Sequence, residues 1–115
     1  MANFPHEKRR FPRISFRGPV SFQARGSAET NNTLSEDISA GGLSFVNEAF
    51  IAPATQLMLQ VKVLSRMLSP LAQVAWASPI PHSNRYRIGV QFLGLDQQGR
   101  NYLNDFINMQ TGQFQ

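Results

Sequence analysis

Apolar residues in this chain come in short runs, most alternating with polar ones and bounded by glycine, proline, asparagine or serine. A period of two is the signature of strands with one face buried. In "RYRIGVQFLGL" (85–95), Ile88, Val90 and Phe92 share a face. In "LAQVAWAS" (71–78), Ala72, Val74 and Trp76 stand opposite Gln73, Ala75 and Ala77, which predicts an inward tryptophan. "TQLMLQVKVL" (55–64) reads as a long apolar strand, and "GGLSFVNEA" (41–49) as one that starts after a glycine pair. "ISFRGPVSFQAR" (14–25) predicts a strand kinked or bulged at Gly18-Pro19, and "TNNTLSEDIS" (30–39) its polar return. The pattern predicts about six strands, enough to curl into a small barrel with few exposed edges.

The end of the chain has a different rhythm. From Asp96 onward, Tyr102, Leu103, Phe106, Ile107 and Met109 fall along one side of a helix. Asp96 is placed to cap it. The helix, from about 96–109, should cover the mouth or flank of the barrel. The expected organisation is a flexible arm over 1–8 and one domain over 9–115, since 115 residues suit a single core.

Several chemistries are excluded by what the sequence lacks. It has no cysteine, hence no disulfide framework, thiolate metal site or cysteine nucleophile. The two histidines, His6 and His82, sit in a basic N-terminal segment and a proline-bounded loop, with no carboxylate pair or metal motif beside them. The chain is therefore expected not to be an enzyme and to need no cofactor. Without an apolar stretch long enough to span a bilayer, or a signal-type apolar core near the start, a cytoplasmic location is expected, with no membrane insertion.

The net charge of +4 is modest, but Lys8, Arg9, Arg10, Arg13 and Arg17 crowd into the first 17 positions, opposed only by Glu7. Such a patch favours an anionic partner. If the first hairpin turns near residues 25–26, antiparallel partners sum to about 51, which sets Arg13 opposite Glu36–Asp37. The basic segment and "DISAGG" (37–42) are then neighbours. Asp37 offers carboxylate oxygens, Ser39 a small hydroxyl, and Gly41 and Gly42 a backbone free to take positive φ and be approached closely. Arg9, Arg10 and Arg13 carry planar donor forks suited to phosphate or to the O6 and N7 acceptors of guanine. Guanine's opposite edge presents N–H donors that a carboxylate accepts. A ligand with both guanine and phosphate would use every group.

These residues resemble the PilZ domain family. "RRFPR" is similar to that family's RxxxR motif, with Arg9 and Arg13 in the fixed places and Arg10 the common extra arginine. "DISAGG" is similar to its D/NxSxxG motif through Asp37, Ser39 and Gly42. The resemblance implies a six-stranded antiparallel β-barrel with a C-terminal helix that binds the bacterial second messenger cyclic di-GMP. It further implies that Arg9, Arg10 and Arg13 clasp phosphates and guanine, that Asp37 and Ser39 read base edges, and that Gly42 and Gly41 keep the surface open. An effector of this kind would order its arm on binding and present the result to a downstream protein partner. The chain itself would be a monomer or weak dimer. Two other readings fit a basic barrel: an interaction module that binds no nucleotide, and a small nucleic-acid-binding barrel. The second needs exposed aromatic platforms, whereas Phe45, Trp76 and Phe92 read as core, so no nucleic acid is expected.

Overall fold

The computed structural model describes residues 12–112. Eight strands form, all paired antiparallel: β1 (Ile14–Ser15), β2 (Pro19–Ala24), β3 (Asn31–Ser39), β4 (Gly42–Asn47), β5 (Gln56–Val63), β6 (Arg66–Leu68), β7 (Leu71–Pro79) and β8 (Tyr86–Gly94). Six of them close a ring in the order β3-β2-β5-β7-β8-β4, with β4 returning to β3. The other two are short continuations: β1 lies beside β3 beyond β2, and β6 lies beside β5 beyond β7. The architecture is a closed six-stranded antiparallel barrel.

Alternation in the sequence explains the core. Along β5, Leu57, Leu59, Val61 and Val63 are buried while Met58, Gln60 and Lys62 face out. Leu43 and Phe45 of β4, and Ile88 and Val90 of β8, point inward in the same way. Helix α1 (Gln97–Thr111) adds Leu103, Phe106 and Ile107 to that cluster. Asp96 caps it by accepting from the Gly99 N–H at 2.7 Å, and Gly112 ends it in the left-handed region at φ 75°. Phe106 meets Phe16 edge-on at 5.6 Å, and the Tyr102 hydroxyl donates to the Val63 carbonyl. Met109, expected on this stripe, is instead 58% exposed.

The strand expected over 14–25 is broken. Five steps from Pro19 back to Ile14 face four steps from Leu34 to Ile38, so one extra residue is taken up at Phe16–Gly18. Buried Ser35 stitches the kink: its hydroxyl accepts from the Gly18 N–H at 3.0 Å and donates to the Phe16 carbonyl at 2.7 Å. Ser35→Ala removes both partners and should cost about 1–3 kcal/mol. A urea titration would show this as a lower midpoint at unchanged slope.

A second irregularity overturns one expectation. The register between β7 and β8 shifts between Val74 and Trp76, with Ala75 as the extra residue. One inserted residue reverses the facing of those that follow. Ala72 and Val74 are buried as the alternation requires, but Trp76 turns outward and is 40% exposed.

Candidate functional site

The pairing Ile14↔Ile38 and Ser15↔Asp37 brings Arg13, the residue preceding β1, to the end of β3. Its Nη1 donates to Asp37 Oδ1 at 3.0 Å across 24 positions of sequence. The side chains are about a quarter exposed, in a setting where an ion pair contributes roughly 0–1 kcal/mol. Arg13 Nε is buried and has no hydrogen-bond partner among the described residues.

Ser44 completes the contact, and its sequence signal is no more than a polar place between two core residues. Its hydroxyl donates to the same Asp37 Oδ1 at 2.9 Å. Oδ1 is thereby held by two donors, while Oδ2 has no hydrogen bond among the described residues. A carboxylate fixed through one oxygen presents the other as an oriented acceptor.

The other residues of the second motif serve the turn. Gly41 N–H donates to Ser39 Oγ at 3.1 Å, and Ser39 Oγ lies 3.4 Å from the Gly42 carbonyl. Ser39 itself is buried. Neither Gly41 nor Gly42 is among the described glycines with positive φ, which are Gly26 and Gly112. Gly42 answers a different demand: a Cβ there would sit 2.0 Å from the Val90 carbonyl oxygen. The glycine lets β4 and β8 approach.

The strand registers extend the site sideways. Asp37 pairs with Ser44, Ser44 with Gly89, and Gly89 with Trp76, a single row across β3, β4, β8 and β7. Ile38, Leu43, Phe45, Ile88 and Val90 point inward, so the alternating partners in this row face outward. The Trp76 indole lies over Gly89, where an added Cβ would be 2.2 Å from the ring.

One further ion pair borders the row. The β3–β4 register shifts between Ser35 and Asp37, at Glu36, whose carboxylate receives Arg87 Nε at 2.6 Å and Nη2 at 3.4 Å. That hydrogen bond, with the charge of Glu36 behind it, raises the Arg87 pKa above its ordinary value. Arg9 and Arg10 lie outside the described residues.

The sequence model of the PilZ domain family matches residues 7–109. No curated protein matches the sequence. Among solved structures, the Bacillus subtilis inhibitor of motility MotI/DgrA superposes with a TM-score of 0.79 at 21% identity, over 94% of this chain and 54% of that one. Escherichia coli YcgR in complex with c-di-GMP gives 0.75 at 18% identity, over 92% and 47%. The c-di-GMP-bound PilZ domain of Escherichia coli YcgR gives 0.70 at 18% identity, over 92% of each chain. This chain thus spans about half the length of the first two, and at such identities the likeness is one of fold.

Proposed function

The chain belongs to the PilZ domain family, and from that premise we propose that it is a receptor for cyclic di-GMP whose N-terminal arginines close over the ligand. PilZ domains are non-catalytic receptor modules, so the function to be explained is capture and its consequence. The observation that carries the reading is the Arg13–Asp37 contact beside an Asp37 Oδ2 with no described partner. It supports a base edge bound at Asp37 while arginine addresses phosphate or guanine's other edge.

Electrostatics assign work to the residues before the barrel. Around the row, Arg13 and Arg87 are matched by Asp37 and Glu36. That balance gives little net attraction for an anion, so the excess positive charge comes from Lys8, Arg9 and Arg10. In this mechanism residues 1–8 and the two arginines that follow act as an arm. Like charges repel within it, and a doubly anionic ligand relieves the repulsion as it orders the segment. The ligand-bound surface is then what a downstream protein reads. Ser39 contributes by holding the turn, with its hydroxyl free to redirect its long contact to the Gly42 carbonyl.

Calorimetric titration with cyclic di-GMP, with GTP as control, tests the proposal. Saturable heat is expected for the cyclic dinucleotide, weakening as salt is added. Absence of heat and of any thermal stabilisation at high ligand concentration would favour a module that binds protein alone. Hydrogen exchange over residues 5–13 should slow on saturation, and unchanged exchange would remove the arm from the mechanism.

A further inference from the structure

We propose that the outer wall formed by β5 and the β5–β6 hairpin is a docking surface for a protein whose contacting face is acidic around an apolar anchor. In the ring order β3-β2-β5-β7-β8-β4, β5 stands directly across from β4, the strand that carries Ser44. The outward side chains of β5 are Met58, Gln60 and Lys62, since Leu57, Leu59, Val61 and Val63 face the core. Beside them the neighbour of β5 changes from β7, paired as far as Met58↔Leu71, to β6, paired from Val61↔Leu68. A cleft of about 420 Å³ opens at this change, with Gln23, Met58, Gln60, Ser69 and Leu71 in its lining. Met58 is 55% exposed, and Met67, which pairs with Lys62, is 53% exposed. Methionine adapts its shape to an incoming surface and is enriched in protein interfaces.

The hairpin tip carries a feature that the fold does not require. Val63 pairs with Arg66, so Leu64 and Ser65 form a two-residue turn, and Leu64 has φ 57° while Ser65 is not among the positive-φ residues. Positive φ at the first turn residue alone is the place where such a hairpin favours glycine. A leucine there is strained, and at 61% exposure it recovers little of that cost through burial. Strain kept at an exposed apolar tip points to a surface used for binding. Charge then selects the occupant. Strands β2, β5, β6 and β7 contain no Asp or Glu; their charged residues are Lys62 and Arg66, and Arg25 follows β2. Both strand carboxylates, Glu36 and Asp37, belong to β3. An acidic partner is therefore attracted to this wall and meets no like charge on these strands. Three cations with no aromatic between them give a nucleic-acid strand neither a phosphate track nor a stacking surface. Because the wall lies across the barrel from Ser44, docking here proceeds with or without a nucleotide.

Selecting a random peptide library displayed on phage against the full chain, without nucleotide, tests the proposal. Enriched peptides should join Asp or Glu to a Leu, Ile or Phe anchor, and a synthetic copy should bind less tightly as salt is added. On adding that peptide, amide resonances of β5 and β6 should shift while those of β3 stay in place. Lys62→Glu and Met58→Glu should each weaken its binding about tenfold or more, with urea midpoints near that of the wild type. Leu64→Gly separates docking from folding. Its urea midpoint should equal or exceed that of the wild type, because glycine suits the turn, yet the peptide should bind about tenfold more weakly. Wild-type peptide affinity in Lys62→Glu and Met58→Glu, shifts confined to β3 or the basic N-terminal segment, or no enrichment of acidic peptides would overturn the surface. Lys62-dependent binding of anionic vesicles or single-stranded RNA, tighter than that of the peptide, would overturn it as well by giving the wall to another class of partner.

Discussion

Gly42→Ala should destabilise the protein by about 3 kcal/mol, at the upper end of what an added methyl group costs in a well-packed site. The new Cβ would lie 2.0 Å from the Val90 carbonyl oxygen and 3.1 Å from Gln91 Cα. Both are backbone atoms of β8, so no side-chain rotation relieves the collision. Gly42 pairs with Gln91 at the point where the barrel closes, and the Phe92 N–H donates to the Gly41 carbonyl one residue away at 2.8 Å. Moving β8 aside would strain that bond and the ladder that follows. Denaturant titration measures the effect directly. A midpoint equal to that of the wild type would show that β8 yields, and the glycine would then have to be explained by access for a ligand. On the present geometry, ligand binding by this variant declines because the seam between β4 and β8 is weakened.

Asp37→Ala should give the opposite pattern, with affinity for cyclic di-GMP reduced by more than tenfold and the fold retained. Charge-assisted hydrogen bonds contribute about 1.5–3 kcal/mol each, which corresponds to roughly tenfold to a hundredfold in affinity. The stability change is smaller, about 1 kcal/mol, since the ion pair with Arg13 is partly solvated and Ser44 loses one acceptor. Asp37→Asn keeps an acceptor oxygen and should lose less. Arg13→Ala should also weaken binding more than tenfold, by removing donors to the ligand and freeing Oδ1 from its charged partner. Calorimetry paired with urea titration separates the two quantities. Wild-type affinity in both alanine variants would refute this site.

What the sequence discloses follows from the physics each signal carries. Alternation marks a strand's buried face wherever register is regular, so the inward rows of β5 and β8 are legible. The meeting of Arg13 with Asp37 is reachable by counting outward from one hairpin, and the kink at Phe16–Gly18 alters that count by one residue. Three features are hidden. Ala75 is an ordinary residue to insert, so nothing in "VAWAS" announces that the strand turns over before its tryptophan. Ser44 acquires meaning only when β4 lies beside β3. Gly42 looks in sequence like an opening for a ligand, whereas the reason for it resides in β8, nearly fifty positions along the chain.

Closure of the six-stranded ring also restricts how another protein could engage this one. Partners that dock by adding a strand need a run of unpaired backbone N–H and carbonyl groups. Among the described residues the outer edges of β1 and β6 are two and three residues long, and β7 beyond Val74 and β3 before Ser35 each lack a partner strand on one side. Strand addition is therefore restricted to these short runs at the ends of barrel strands. Elsewhere a protein that senses the occupied state must recognise side chains and bound ligand, a chemically specific surface in place of a generic backbone ladder.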